Sequence, residues 1–328
     1  MKNTKNVLIM GVFGQDGSYL AEFLLDKDYK VFGFDQKKPS QKSAYLNRLA
    51  KKIIFIKGDL KNQKDIEKAV EKSQPDEVYN LAGVSDLTTA KNNPKLTMDL
   101  NYRSVGYLVK NVFSVNPKAR IFQAGSSQMF CEKSGSINEK SSMCNRNNYA
   151  KAKIKAHKEF IINYRKQNYY ICSGFLFNHE SPRRDKRFVT TKIVESLKQI
   201  KKTGKGILEL GNLNSKKDWG FAGDYVKAMW LMLQQPQPDD YVIATGKLHS
   251  VRDFVEISAK VLNIKLNWQG GGINEVGLDN HKNVVVKINR KYYRENELPI
   301  VANIKKINKK LGWKPQTNLS SLIKMMIG

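Results

Sequence analysis

The sequence predicts an α/β protein built on a doubly wound parallel sheet, with a smaller mixed α/β part in its second half. Through the first half of the 328 residues, short apolar runs of strand length alternate with longer amphipathic runs of helical period. A glycine-rich turn separates the first apolar run from the first amphipathic run. Such alternation implies right-handed crossovers, which place helices on both faces of a mostly parallel sheet. We therefore expect a Rossmann-type domain.

The predicted elements follow one another along the chain. In the first half, strands are expected over residues 6–11, 30–35, 53–56, 77–82, 119–124 and 169–177, and helices over 18–25 and 149–167. In the less regular second half, helices are expected over 188–201, 223–234 and 251–262. We assign a nucleotide-binding domain to 1–178 and a substrate-binding part to 179–328, with a segment at about 215–245 returning to the first domain.

The composition is that of a globular protein with an excess of basic side chains. The hydrophobic fraction is 41%, and no apolar run approaches the roughly 18 residues of a membrane span. The formal charge is +27, but the lysines are spread as short pairs such as Lys37-Lys38 and form no single basic helix. We therefore expect most of them on solvated surface, and neither nucleic acid nor a membrane as a partner.

The cysteines indicate the cellular setting. Cys131, Cys144 and Cys172 are odd in number and lack CxxC spacing, so we expect neither a disulfide framework nor a zinc site, and no other metal centre. A reducing cytoplasm is the simplest location for such a chain.

A dinucleotide site is predicted at the first glycine-rich turn, which has the spacing GxxGxxG. Gly11, Gly14 and Gly17, with Gln15 and Asp16 between them, follow the first strand and open the first helix. Glycines permit a tight turn and let the backbone approach a pyrophosphate at the helix N-terminus, where free amides favour anions. This strand-turn-helix context gives the motif its specificity.

The acidic residue at the end of the second strand predicts the type of cofactor. Asp35 can accept hydrogen bonds from an adenosine ribose and would repel a 2′-phosphate, which favours NAD over NADP. Lys37 and Lys38 are the counterargument, because they could accept that phosphate. The other residues expected at the cofactor lie at the ends of the third and fourth strands: Asp59, Leu60, Leu81 and Ala82. Asp59 could equally cap a helix.

A catalytic set for proton and hydride transfer is predicted around Tyr149. Tyr149 and Lys153 are four residues apart near the start of a helix, so both project from one face. The ammonium group can then lower the pKa of the phenol towards the operating pH. Ser126, at the end of the fifth strand, can complete the hydrogen bonds to the reacting oxygen.

At these motifs the chain resembles the GDP-mannose 4,6-dehydratase family of extended short-chain dehydrogenases/reductases. The segments GVFGQDGSYLAEFLL, FLFNHESPRR, LGNLNSKKDWG, DYV, LQQPQPDDYVIATG and LGWKP are similar to those of the family over nearly the whole length, and FNHESPRR and KDWG are highly specific to it. The resemblance implies a GDP-linked sugar as substrate, which would lie across the second half. The residues implied at the substrate are Ser85, Ser127, Asn178, Val189, Lys192, Lys217, Arg294 and Glu297. Cations and an amide suit the diphosphate, and a carboxylate suits a ribose diol.

The resemblance also implies a reaction sequence, and Gln128 departs from it. In the family, the tyrosine deprotonates the 4-hydroxyl as hydride leaves C-4, a glutamate removes the C-5 proton, water leaves C-6 and hydride returns there. Gln128 occupies the position of that glutamate, and its amide cannot exchange a proton at neutral pH. Glu132, four residues later, is a candidate substitute base, although its segment is expected to turn away from the strand end.

Two other groups have alternative interpretations. With only four histidines and no metal-ligand spacing, His179 is expected to be a structural, hydrogen-bonded residue rather than a catalytic one. The resemblance also implies a homodimer or homotetramer, with Arg183 and Arg184 at an interface.

Three functions are compatible with these residues. Gln128 with Asp35 favours an NAD-dependent oxidoreductase that forms or reduces a 4-keto group on GDP-mannose or a GDP-manno-heptose without dehydration. The alternative is a GDP-mannose 4,6-dehydratase, and the third is a non-catalytic homologue that binds nucleotide sugars. Oxidation alone would leave NADH on the enzyme, so turnover would require its release or a second carbonyl substrate.

Overall fold

The computed structural model describes residues 4–39, 44–131, 136–294 and 298–328. Within these ranges the strands, numbered in chain order, are β1 (Asn6–Met10), β2 (Lys30–Asp35), β3 (Ile54–Lys57), β4 (Glu77–Asn80), β5 (Arg120–Ala124), β6 (Ser136–Ile137), β7 (Tyr170–Leu176), β8 (Asn178–Glu180), β9 (Leu208–Leu210), β10 (Lys216–Lys217), β11 (Trp219–Phe221), β12 (Tyr241–Ile243), β13 (His249–Ser250), β14 (Asn267–Gln269), β15 (Val276–Leu278), β16 (Val284–Ile288) and β17 (Val301–Ala302).

The α-helices of the same ranges are α1 (Gln15–Leu25), α2 (Ala44–Lys52), α3 (Gln63–Ser73), α4 (Leu87–Asn92), α5 (Pro94–Met98), α6 (Ser104–Val115), α7 (Asn148–Ala156), α8 (Asn163–Lys166), α9 (Val189–Thr203), α10 (Ala222–Leu233), α11 (Val251–Val261), α12 (Lys305–Leu311) and α13 (Leu319–Ile327). Turns of π-helix cover Asp99–Arg103 and His157–Ile162, and 3-10 turns cover Ser127–Met129 and Gly272–Asn274. None of the helices in the described ranges has the length and apolar character needed to cross a membrane.

The main sheet confirms the predicted doubly wound fold. Its seven strands are all parallel and lie in the order β12-β7-β5-β4-β1-β2-β3. The order reverses between β1 and β4, which is the switch point where open α/β sheets bind ligands at the carboxyl ends of their strands. The glycine-rich turn after β1 and the polar segment after β5 both open onto this edge.

Two apolar layers cover the sheet. One face is buried by a cluster that includes Leu20 and Leu24 of α1 and Met229 of α10, and the other by a cluster that includes Val70 of α3 and Leu108 of α6. The strands between these two layers are buried on both faces, which explains why their sequences are continuous apolar runs rather than alternating ones.

The second half forms its own core while returning one strand and one helix to the main sheet. A four-stranded sheet of order β14-β15-β16-β9 packs with α9, α11 and α13 around Phe254, Leu208 and Ile323. Helix α10 instead packs against α1, and β12 pairs in parallel with β7 at the edge of the main sheet. Helix α12 also packs against β12, with Ile307 in the core of the main sheet, before α13 joins the second core, so the chain passes between its two parts more than once in each direction.

Two sequence-based expectations need correction. The expected helix over 149–167 is continuous but contains the π-turn His157–Ile162, where one extra residue is accommodated in the helix. The expectation that no disulfide forms is wrong for one pair: Cys131 is bonded to Cys144, with their Cα atoms 5.2 Å apart. The count and spacing of cysteines could not reveal it, because the pairing depends on two segments meeting in the fold.

The buried carboxylate of Asp224 connects the C-terminal segment to α10. Its Oδ2 accepts hydrogen bonds from the backbone N–H groups of Gln316 at 3.0 Å and Thr317 at 2.9 Å. The indole of Trp313 also donates to the backbone carbonyl of Asp224 at 3.0 Å. The final helix is thereby fixed to the main sheet as well as to the second core.

We predict that Asp224→Ala lowers the free energy of unfolding by about 1–3 kcal/mol, because two partly buried backbone N–H groups lose their acceptor. Urea unfolding followed by circular dichroism measures the change. The exposed Asp26→Ala is the control and should stay within about 0.5 kcal/mol of the wild type. Equal effects of the two substitutions would contradict this role of Asp224.

Candidate active site

The glycine-rich turn has the backbone geometry of a dinucleotide cradle. Gly11 has φ of +79°, a left-handed conformation that favours glycine, and its N–H donates to the carbonyl of Phe34 at 2.8 Å. A Cβ on Gly17 would lie 2.2 Å from the carbonyl oxygen of Gly11, so α1 can approach β1 this closely only without a side chain there. Helix α1 thus begins directly beside the carboxyl end of β1, with its free N–H groups at the sheet edge. These residues fit a dinucleotide pyrophosphate.

Asp35 ends β2 beside this turn. Its carboxylate accepts hydrogen bonds from the N–H of Phe13 at 3.2 Å and of Gln36 at 2.8 Å. Burial raises the pKa of Asp35 above its usual value, although these N–H groups and the charge of Lys37 oppose the rise. The carboxylate thus lies at the position predicted for contact with an adenosine ribose.

The other predicted cofactor residues surround the same edge. Ala82 contacts Gly11 closely, since a Cβ on that glycine would lie 3.1 Å from Ala82 Cα, and Leu81 donates its N–H to the carbonyl of Met10 at 3.2 Å. Leu60 packs partly buried on the second core face. Asp59 accepts the N–H of Lys61 at 2.9 Å, and although burial alone would raise its pKa, Lys61 holds that pKa below the usual value. Asp59 is not the helix cap that the sequence left open, because the N-cap of α3 is Asn62, which accepts the N–H of Lys64 at 3.1 Å.

Ser126, Tyr149 and Lys153 come together after β5. Ser126 lies just past the strand as the N-cap of the 3-10 turn, and its hydroxyl is hydrogen-bonded to the phenol of Tyr149. Tyr149 and Lys153 are buried on one face of α7, with relative exposures of 8% and 7%. The ammonium of Lys153 donates to the carbonyl of Ala124 at 2.9 Å and lies 5.9 Å from the centre of the Tyr149 ring.

Burial dominates the electrostatics of this set. It raises the pKa of Tyr149 above its usual value, against the hydrogen bond from Ser126 and the charge of Arg184, which lower it. Burial also lowers the pKa of Lys153 to about 8. The expectation that Lys153 depresses the phenol pKa is therefore not met in the protein alone: the pKa of Tyr149 rises and that of Lys153 falls, because burial leaves both charged forms poorly solvated.

Gln128 lies in the 3-10 turn next to these residues. Its backbone N–H donates to the hydroxyl of Ser126 at 3.2 Å, and its carbonyl accepts from the guanidinium of Arg146 at 3.0 Å. Arg146 also donates to the carbonyl of Ser127 at 3.3 Å. Gln128 is half-buried, and its 3-10 turn contacts α7, which carries Tyr149 and Lys153. The candidate substitute base Glu132 lies outside the described residues.

His179 is the structural residue expected from the sequence, and it links α1 to the second half. Its Nδ1 is 2.7 Å from the carbonyl of Phe177, its Nε2 is 2.8 Å from the carboxylate of Asp16, and its ring stacks on Tyr225 at 4.7 Å. Burial opposes the charge on the imidazole, but Asp16 outweighs it and raises the pKa of His179. The pKa of Asp16 is lowered even though burial alone would raise it. Both shifts favour the charged forms of this pair.

Arg184 is a residue whose position the sequence did not reveal. Its guanidinium lies 3.1 Å from the carboxylate of Glu180 and 3.5 Å from the ring centre of Phe188, and its field acts on both Tyr149 and Asp16. Its buried Nε has no hydrogen-bond acceptor of suitable geometry among the described residues. The motif FNHESPRR contains this arginine, but only the fold shows that it faces inward. The subunit interface expected at Arg183 and Arg184 stays a prediction, because the structure contains one chain.

The residues implied at the substrate spread along the cleft wall. Asn178 is half-buried in β8, and its carbonyl lies 3.5 Å from the hydroxyl of Tyr225. Ser127 is buried beside Gln128, whereas Ser85 is exposed. Val189 is exposed at the start of α9, and the ammonium of Lys192 in the same helix lies 4.5 Å from the ring centre of Tyr292. Lys217 of β10 pairs with His249 of β13. The backbone carbonyl of Arg294 accepts a hydrogen bond from the side chain of Asn212 at 3.2 Å. Glu297 lies outside the described residues.

An ion pair spans the mouth of the cleft. Arg187, which precedes α9, lies 3.1 Å from the carboxylate of Asp86, the N-cap of α4. It also contacts Asp185 at 2.9 Å. Because Ala90 of α4 packs against Tyr149, this pair joins the segment before α9 to a helix that contacts Tyr149. Its exposed arginine makes it a weak link energetically.

Comparison with known proteins identifies the family of this chain. The family model described as GDP-mannose 4,6 dehydratase matches residues 8–326. The chain belongs to the GDP-mannose 4,6-dehydratase family. The GDP-mannose 4,6 dehydratase of Drosophila melanogaster is 38% identical over 343 residues, which cover 98% of this chain and 85% of the relative. That of Dictyostelium discoideum is 39% identical over 342 residues, which cover 98% of this chain and 95% of the relative.

A solved structure extends the likeness to the fold. The dTDP-glucose 4,6-dehydratase from Bacillus anthracis in complex with NAD has a TM-score of 0.79 at 16% identity, with coverage of 99% of this chain and 96% of that one. At this identity the likeness shows the fold alone. The resemblance inferred from the family-specific segments is thus confirmed by the family match.

We predict that Lys153 makes the stability of the cofactor-free protein depend on alkaline pH. The folded pKa of about 8 is below the ordinary value of 10.5, so between these values the unfolded chain binds more protons and stability rises with pH. The free energy of unfolding of the wild type, minus that of Lys153→Met, should therefore increase by at most about 3 kcal/mol from pH 8 to pH 10.5. Chemical denaturation at a series of pH values measures the difference, in which the other titrating groups largely cancel. A difference that does not vary with pH would contradict the low pKa.

Proposed function

We propose that the protein catalyses 4,6-dehydration of GDP-mannose, at a rate limited by removal of the C-5 proton. The observation that carries this proposal is the joint presence of the family match over residues 8–326 and the assembled set of Ser126, Tyr149 and Lys153. The match and the names of the relatives support this alternative better than the C-4 oxidation without dehydration that Gln128 favours from the sequence.

The residues of the set divide the proton chemistry at C-4 between them. The phenol of Tyr149 receives the proton of the 4-hydroxyl, and Ser126 donates a hydrogen bond to the same substrate oxygen. Lys153, with its pKa lowered to about 8, supplies an ammonium that favours the phenolate and can pass on the proton. When bound, NAD supplies the acceptor for the hydride that leaves C-4 and later returns at C-6.

The C-5 proton is the difficult step in this chain. Once C-4 is a ketone the C-5 proton is acidic, but the amide of Gln128 cannot remove it at neutral pH. Losing a positioned acid-base group costs roughly 10²–10⁴-fold in rate. Elimination therefore depends on water or on a group other than Gln128.

A second candidate function follows from the same observation. If no group removes the C-5 proton within the lifetime of the 4-keto sugar, the protein is a C-4 oxidoreductase on GDP-mannose or a GDP-manno-heptose. Mass spectrometry of the product from each sugar distinguishes the two functions, because dehydration removes the mass of one water molecule and oxidation removes that of two hydrogen atoms. For the second function, recycling of NADH by another carbonyl substrate is part of the proposal.

We predict that Gln128→Glu accelerates formation of the 4-keto-6-deoxy product by roughly 10²–10⁴-fold, because it supplies the missing base. The product is quantified by mass spectrometry under initial-rate conditions. Gln128→Met, which has a similar length and no carboxylate, is the control and should give no gain. An unchanged rate for Gln128→Glu would mean that residue 128 does not occupy the base position.

The cofactor assignment belongs to the same proposal. The carboxylate of Asp35 at the end of β2, hydrogen-bonded to the glycine-rich turn, supports NAD rather than NADP because it would repel a 2′-phosphate. The NAD complex of the Bacillus anthracis relative in fold is in keeping with this choice. Homodimer or homotetramer formation stays a prediction from the family resemblance.

We predict that Asp35→Asn reduces the preference for NAD over NADP by about tenfold or more, since it removes a like-charge repulsion while keeping an acceptor for Phe13. Isothermal titration with each cofactor measures the two dissociation constants. The exposed Asp26→Asn has the same change in charge and should leave their ratio unaltered. A wild type that binds NADP more tightly would overturn the assignment.

A further inference from the structure

Cys131 and Cys144 join the two segments that frame the catalytic residues. Cys131 follows the 3-10 turn that contains Ser127 and Gln128, and Cys144 precedes the N-cap of the helix that carries Tyr149. The disulfide between them, with Cα atoms 5.2 Å apart, crosses from one segment to the other. A covalent bond therefore lies three residues from Gln128 and five residues from the catalytic tyrosine.

Apart from the disulfide, these segments are held together by polar contacts and by a shared apolar cluster, in which Met143 packs against buried Met129 and Phe130. The N–H of Cys131 donates to the carbonyl of Ser142 at 2.9 Å, and the N–H of Cys144 donates to the carbonyl of Met129 at 3.0 Å. Phe130 and Met143 form a single antiparallel bridge between them. The arginine that follows, Arg146, reaches back to the carbonyls of the 3-10 turn. One antiparallel bridge is too short a pairing to be stable in isolation, so the cross-link adds a covalent connection to the apolar contacts that anchor Met129 and Phe130.

The three cysteines differ in their accessibility to thiol reagents. Cys172 is completely buried in β7, and burial raises the pKa of its thiol far above the usual range, which makes it unreactive. Cys131 and Cys144 are each partly exposed. A dissolved dithiol can therefore reach their bond while leaving Cys172 untouched.

We propose that Cys131 and Cys144 are a redox-active site that a dithiol reductant opens, and that opening it loosens the segment carrying Ser127 and Gln128 and slows catalysis. In the first step a thiolate of the reductant attacks one sulfur of the pair, breaks the S–S bond and forms a mixed disulfide. The second thiol of the reductant then attacks the reductant sulfur of the mixed disulfide and displaces the cysteine that is still bound to it. Two electrons and two protons pass to Cys131 and Cys144, and the reductant becomes a disulfide.

The effect on turnover follows from where the released segment lies. The hydroxyl of Ser126 bonds both to Tyr149 and to the N–H of Gln128, so movement of the 3-10 turn alters the group that orients the phenol. A misplacement of about 1 Å at a reacting group can cost roughly 10²-fold in rate. The oxidised form is accordingly the active form. This part of the inference rests on the proposed function, whereas the existence and opening of the bond do not.

The state of the bond is tested first, on the full-length protein. After treatment with oxidised glutathione and denaturation without reductant, maleimide labelling followed by mass spectrometry should modify Cys172 alone. Prior incubation of the folded protein with dithiothreitol should add labels at Cys131 and Cys144. Labelling of all three cysteines before reduction, or no labelling of the pair after it, would overturn the proposal.

The structural and catalytic consequences are measured separately. Hydrogen exchange should show faster exchange in the segments around Cys131 and Cys144 after reduction, and this measurement requires no turnover. With GDP-mannose as substrate, dithiothreitol should lower kcat between about tenfold and roughly 10²-fold. The double variant Cys131→Ser/Cys144→Ser should match the reduced wild type and not respond to dithiothreitol, while Cys172→Ala should keep the response.

Failure of this inference can be told apart from failure of the proposed function. An opened bond with unchanged exchange and unchanged kcat would overturn the redox role while leaving the dehydratase proposal intact. If GDP-mannose is not a substrate, the exchange measurement alone decides: faster exchange supports the redox-active pair, and unchanged exchange refutes it.

Discussion

The ion pair between Asp16 and His179 fixes the relation between the two parts of the chain. Asp16 is the second residue of α1, where the glycine-rich turn ends, and His179 lies in β8, where the main sheet gives way to the second half. Gln15 reinforces the contact by donating to the carbonyl of His179 at 3.0 Å and accepting from Ser181 at 2.8 Å. The segment that leads into the substrate-binding part is therefore attached directly to the helix that would hold the pyrophosphate. These contacts fix the position of β8 relative to the start of α1.

The same region explains why the site is dry and strongly polarised. Tyr149 packs against Val84 and Ala90, and Lys153 is buried, so neither charged form is well solvated. Fixed charges compensate at a distance, since Arg184 stabilises a phenolate and Asp16 opposes one. A bound substrate and cofactor would complete this balance by adding a reacting oxygen and a positive ring. The raised pKa of Tyr149 and the lowered pKa of Lys153 therefore do not favour proton transfer in the protein alone, and we expect bound ligands to change both values.

The sequence predicted much of the fold because its elements are locally encoded. Continuous apolar runs identified the strands of the parallel sheet, and glycine spacing identified the turn before α1. The family-specific segments identified the family to which the chain belongs. What could not be predicted depends on contacts between distant residues: the inward position of Arg184, the ion pair of Asp86 with Arg187, and the bond between Cys131 and Cys144. The prediction that the pKa of Tyr149 is lowered was wrong for a similar reason, because the spacing of two residues does not reveal how deeply the fold buries them.

The π-turns His157–Ile162 and Asp99–Arg103 lie against each other, with the rings of Tyr102 and Phe160 stacked at 5.3 Å. A π-turn holds one residue more than the α-helix on either side, and one residue corresponds to about 100° of rotation about the helix axis. Deleting a residue from one turn alone would rotate one contacting face away from the other. Related chains should therefore gain or lose these extra residues in both helices together, so that the lengths of two segments remote in sequence are correlated in evolution.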